Sequence, residues 1–257
     1  MRSNQNGLRL GFAALLAVAG CSNVDTPSEK DYDDIAQALG SVTATESGGG
    51  EIGTMVDAST IATGAPRIGI DLEGSGSFSG NRVGLQYEYS ITCKDGAGTT
   101  LDACSDASDS AAVNVKWAGD LTTTVLIATI ARQGKLELSN IQSGPVEISG
   151  TSTLRIDAHL HALLQDAQRS YTLKYSASYE DLKVQRAPAQ MLGGKIHYAL
   201  EVDRNKTSRS TQKSAHYEID AELVFDANGK ATLTLDGDHR YAVDTGTGNV
   251  ENVNAQP

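Results

Sequence analysis

Few residues of this 257-residue chain combine a type and a spacing that suit chemistry. Asp157, His159 and His161 fall at i, i+2 and i+4 of an alternating segment, so on a strand all three point the same way. Two imidazoles and a carboxylate on one face suit zinc or a redox metal, and a metal-dependent enzyme using them is one expectation. His197 and His216 lie on the polar sides of two later strands and join that row only if the sheet curls inward. The plainer reading puts the row on the solvent side, where histidines need no special explanation. No catalytic residue is assigned and no cofactor is expected. The sequence has no GxSxG elbow, HExxH, CxxC or P-loop. Its Gly48-Gly49-Gly50 cluster lacks the strand–glycine–helix setting of a dinucleotide site.

Cys93 and Cys104 flank KDGAGTTLDA, a polar, glycine-bearing stretch. In an oxidising compartment such a pair forms a disulfide, worth roughly 3 kcal/mol for a loop this short. A metal pair is the weaker alternative, because no histidine lies nearby in sequence. Tyr87, Tyr89, Tyr175, Tyr179, Tyr198, Tyr217 and Tyr241 fall mostly on the apolar sides of their segments. They fill a core with each hydroxyl reaching water or a partner, or they line an apolar cavity that carries a lipid or similar ligand.

The compartment is read from the leader. Arg2 and Arg9 precede a short apolar run, Gly11 to Ala19, followed by Gly20 and Cys21. A basic start, a short apolar run and small residues form a secretory signal, and the run is far below the roughly 20 residues that span a bilayer. Val18-Ala19-Gly20-Cys21 resembles the lipobox of bacterial lipoproteins. The resemblance covers the leader alone. It implies diacylglycerol on the Cys21 thiol, cleavage before Cys21, and acylation of the new amino group. Ser22 in place of the family's inner-membrane Asp favours the outer membrane, with the side it faces left open. The expected partners are therefore the membrane, through the lipid, and an envelope protein or an apolar ligand. The first 20 residues hold no acidic group, so losing them makes a net charge of −11 two units more negative. That argues against nucleic acid, whose binding is driven by Lys and Arg.

These features need elements to hold them. Residues 1–20 read as signal peptide and 21–27 as tether. Within 28–66, Ser28 reads as a helix N-cap with Asp31 at N3, and Tyr32, Ile35, Ala36 and Leu39 recur at helical spacing before Gly40. The rest, to residue 66, reads as a glycine-rich flexible loop. From 67 to 245 the period is two: Tyr87, Tyr89 and Ile91; Val113, Val115 and Trp117; Leu154, Ile156, Ala158 and Leu160; Leu173 and Tyr175; Tyr198 and Leu200; Tyr217, Ile219 and Leu223. Leu121 to Ala131 fits one strand through Thr123, Val125, Ile127 and Thr129, with a helix conceivable. Residues 246–257 read as a polar tail. The expectation is an all-β domain of about ten strands, a large, strongly curved antiparallel meander closing into a barrel or half-barrel, with a sandwich second and one short N-terminal helix. The function expected first is a non-enzymatic, membrane-anchored envelope lipoprotein with a binding or structural role.

Overall fold

The computed structural model describes residues 24–44, 50–65, 70–72, 76–82, 84–122, 126–160, 168–188, 190–208 and 211–253. The lipobox and Cys21 lie outside them, as does His161. Two helices come first, α1 (Glu29–Thr43) and α2 (Glu51–Ile61). Twelve strands follow: β1 (Ile70–Leu72), β2 (Ser77–Arg82), β3 (Leu85–Lys94), β4 (Ser110–Thr122), β5 (Leu126–Ser139) and β6 (Val146–Leu160); then β7 (Gln168–Gln185), β8 (Gln190–Ser208), β9 (Thr211–Phe225), β10 (Lys230–Leu235), β11 (His239–Asp244) and β12 (Val250–Asn252). They form one sheet in chain order, each strand antiparallel to its neighbours.

The meander is as expected, but its closure is not. The sheet is open, with β1 and β12 at its two edges, so it is neither a barrel or strongly curled half-barrel nor a sandwich. The reason is what covers the apolar side. A bare face this wide must bury itself against something. Curling was expected because only one short helix was available, whereas two helices fill the role. α2 occupies the stretch read as loop, and its Ile52, Met55, Val56, Ala58 and Ile61 are all buried. With a core this complete on one side, strand residues alternate strictly, as in the buried–exposed pattern of β3 from Leu85 to Lys94.

Three local readings also change. Leu121 to Ala131 is not one strand: β4 ends at Thr122, β5 begins at Leu126, and Thr122 pairs with Ile127 across the hairpin. Ile127 is therefore exposed, while Ala128 and Ile130 are buried. α1 runs three residues past Gly40, to Thr43. The polar tail is partly structured, since Val250–Asn252 pairs with β11 as β12. Gly40 is required where α1 meets that end of the sheet: a Cβ there would lie 2.4 Å from Val250 Cγ2 and 2.7 Å from the Gly248 carbonyl oxygen. Among the described residues no helix is long and apolar enough to cross a membrane.

Candidate functional site

The convergent ionisable groups of the fold lie between the helices and the sheet. Ser28 caps α1: its backbone N–H and hydroxyl both donate to the Asp31 carboxylate, at 3.0 and 2.6 Å, completing a capping box. Asp31 then reaches the sheet, where it pairs with Arg204 of β8 and accepts from Tyr217 of β9 at 3.2 Å. Burial opposes its charge, but the hydrogen bonds from Ser28 and Arg204 outweigh that and hold its carboxyl below the ordinary Asp range. Burial and the Asp31 charge push the Tyr217 phenol up to about 12. The next turn repeats the device. Tyr171 of β7 donates to Asp34 at 2.8 Å, Tyr241 of β11 to Asp33 at 3.1 Å, and Tyr32 to Asp236 at 2.7 Å while stacking on His239.

Glu51, the first residue of α2, makes the second centre. Its carboxylate is fully buried against Arg132 of β5, at 3.1 Å with neither side chain exposed. Ser152 of β6, Tyr175 and Tyr179 of β7 and Tyr198 of β8 also place hydroxyls within 2.6–3.2 Å of it. Burial works against the Arg132 charge, but Tyr179 and Glu51 outweigh it and keep the guanidinium protonated. Burial, reinforced by Glu51, pushes the Tyr175 and Tyr198 phenols far up, so both stay neutral donors. Nε and Nη1 of Arg132 have no hydrogen-bond partner among the described residues, and the guanidinium lies over the Trp117 ring, 5.5 Å from its centroid. This cluster is a sealed pin between helix and sheet. The apolar face that a lipid carrier would line is the face packed against α1 and α2.

Sequence reasoning placed the tyrosines on the buried face but missed Glu51 and Arg132. A signal for Arg132 existed: Ala128, Ile130, Arg132, Gly134, Leu136 and Leu138 hold strict period two, which puts a charge in an apolar row. Glu51 follows three glycines and offered no comparable cue.

Of the three metal-ligand candidates Asp157 and His159 lie among the described residues and His161 does not. Cys93 and Cys104 do form the disulfide. Asp157 faces solvent, gripped by Arg155 through two contacts of 2.9 Å and bonded by Thr172 at 2.9 Å. His159 pairs in register with Ile127 and Ser170. His216 shares the cross-strand row of Asp157, but β7 and β8 stand between them, a separation of about 14 Å. His197 is six residues farther along β8 than that row, about 20 Å away, and sits between Glu180 and Glu222. Among the described residues no three His, Cys, Asp or Glu side chains converge as a metal site.

Three depressions lie on the opposite, solvent face. One of about 1010 Å³ runs over β2–β6 and is lined by Glu88, Asn114, Lys116, Gln133, Lys135 and Thr151, among others. Smaller ones of about 520 and 550 Å³ continue over β3–β7 and β7–β9. Comparison with protein-family models, curated proteins and solved structures gives no match to this chain, and the reading of its function rests on its own residues.

Proposed function

We propose that this chain is an exported, non-enzymatic envelope protein, anchored through lipid on Cys21, whose β domain is a binding or structural platform held close to the membrane. Ser22, where the family's inner-membrane signal has Asp, favours the outer membrane. The observation that carries the reading is how soon after Cys21 the fold begins. The Asp25 N–H donates to the His216 carbonyl of β9 at 2.8 Å, and the His216 N–H donates back to the Asp25 carboxylate at 3.1 Å. Four residue steps lead from Cys21 to Asp25, a reach of at most about 14 Å. A lipid on Cys21 therefore holds the β9 side against the headgroups, which suits a platform fixed in orientation. The Cys93–Cys104 bridge fits the oxidising compartment that export implies. The sealed Glu51 and Asp31 clusters have a structural task, joining helices to sheet, and the solvent face is left for a partner.

The test is detergent-phase partition with intact-mass measurement. The protein should enter the detergent phase and begin at an acylated Cys21, and Cys21→Ser should abolish both. A Cys21→Ser protein that still partitions with the same modified mass overturns the reading.

A further inference from the structure

We infer that the solvent-face depression over β2–β6 is a binding site for an acidic glycan, a polymer of hydroxyl-rich units carrying carboxylates. The inference builds on the platform reading and supplies its ligand class.

Cross-strand pairing sets the surface. Glu88, Lys116, Gln133 and Thr153 form one row over β3–β6, and Ser90, Asn114, Lys135 and Thr151 form the next. The centre of the depression is thus amides and hydroxyls with two ammonium groups and the Glu88 carboxylate among them. Asn and Gln each offer two donors and an acceptor, the complement of neighbouring sugar hydroxyls.

The two lysines differ from the cations around them. Arg155 is paired with Asp157, Lys174 with Glu201, Lys183 with Glu147, and Lys195 with Glu180 and Glu222. Lys116 and Lys135 are exposed and have no ion pair among the described residues. They stand diagonally on β4 and β5, with Cβ atoms about 7–8 Å apart. In a chain of net charge −11, Lys116 and Lys135 against the single carboxylate of Glu88 leave the lining of this depression with one net positive charge, a sign opposite to that of the whole. An anionic ligand is drawn there and kept off the rest of the surface.

Other polyanions fit less well. Nucleic acid calls for bases stacked on exposed aromatic rings and a longer cationic track, whereas Tyr87 and Tyr89 beneath this depression are buried. An acidic peptide would be recognised through side-chain pockets or an open sheet edge, and the depression crosses the middle of paired strands.

The experiment uses full-length protein in detergent and fluorescein-labelled oligogalacturonate, read by anisotropy. Unlabelled competitors are maltohexaose, poly-glutamate and single-stranded DNA. Oligogalacturonate should bind saturably, more weakly as salt rises, and only unlabelled oligogalacturonate should displace it efficiently. Lys116→Gln with Lys135→Gln should weaken binding at least tenfold, each single change should weaken it less, and Lys213→Gln with Lys230→Gln should leave it within twofold. Circular dichroism of each variant shows that the fold is intact. No saturable binding, equal displacement by maltohexaose, preference for poly-glutamate or DNA, or unchanged affinity in the folded double variant each overturns the inference. The anchor reading fails separately, in the Cys21→Ser partition.

Discussion

Replacing Glu51 by Gln perturbs the protein at its most enclosed charge. Arg132 then keeps the Tyr179 oxygen and a neutral amide oxygen as acceptors but loses its counter-ion, while remaining fully buried and protonated. Breaking a buried pair in this way costs about 3–5 kcal/mol, because the remaining charge has lost its hydration with no counter-ion. Arg132→Met is the milder change. Glu51 retains the hydroxyls of Ser152, Tyr175, Tyr179 and Tyr198, so the loss should be about 1–3 kcal/mol. The double variant holds no uncompensated charge, and the amide introduced in place of the Glu51 carboxylate can still meet those hydroxyls. It should be more stable than Glu51→Gln alone, with a coupling energy of about 2 kcal/mol or more. Trp117 is the chain's single tryptophan and lies against Arg132, so its fluorescence in urea reports on the cluster itself. With an m-value of about 2–3 kcal/mol/M, the Glu51→Gln midpoint should fall by about 1–2 M without a change in slope. A cost below about 1 kcal/mol, or single effects that add to within about 0.5 kcal/mol, would refute the claim that this pair pins α2 to the sheet.

Acid should loosen α1 through Asp31. Its folded-state carboxyl titrates below the ordinary Asp value, so its contribution is present above about pH 4 and is lost as pH falls through the lower folded value; Asp31→Asn should flatten the acid limb of a stability–pH curve, and an unaltered limb counts against the contact. Alkali should act through the phenols. The Tyr217 phenol is raised to about 12, so its contribution is complete below about pH 10 and lost as pH rises through about 12. All nine tyrosines are buried, so phenolate absorbance should rise together with loss of ellipticity, and phenolate appearing well before unfolding would contradict the burial. Changing Cys93 and Cys104 to Ser together should cost roughly 3 kcal/mol for this short loop, measured by urea titration; a loss under about 0.5 kcal/mol would show that the loop is held by its other contacts.

How much of this could be read from the sequence depended on how local the determinant is. The capping box Ser28–Asp31 is fixed by neighbouring residues and was legible. Period two fixed which face of β3, β7 and β9 is buried, because a one-residue slip would exchange Tyr87 for Gln86 or Tyr175 for Lys174. α2 was illegible for a physical reason. It is buried nearly all round, including Glu51, Thr54, Asp57 and Ser59, so it carries no amphipathic stripe, and the polar residues that suggest a loop are satisfied only by distant parts of the fold or by its own backbone. Missing α2 led to the wrong closure of the sheet, since the cover for the apolar face had to be sought in the sheet itself. The Glu51–Arg132 pair spans 81 residues, and neither member signals the other locally.

The strictly sequential sheet is joined to its helices by contacts far from local, and those of α1 set a timetable. Each strand can zip onto the one before it as soon as it is made, through hairpins that form in roughly 1–10 μs. α1 has no such neighbour. Tyr32 bonds to a residue 204 positions later, Asp33 to residues 208 and 219 positions later, and Gly40 packs on Gly248 and Val250. The first helix among the described residues is therefore completed late, and until β10–β12 exist its Ile35 and Leu39 have no finished surface to cover them. A chain interrupted near residue 235 should carry a nearly complete meander with α1 held by Asp31 and Asp34 on β7–β9 but without its contacts to Asp236, Tyr241 and Asn252. The packing of α1 is in effect completed by β12, the last strand among the described residues.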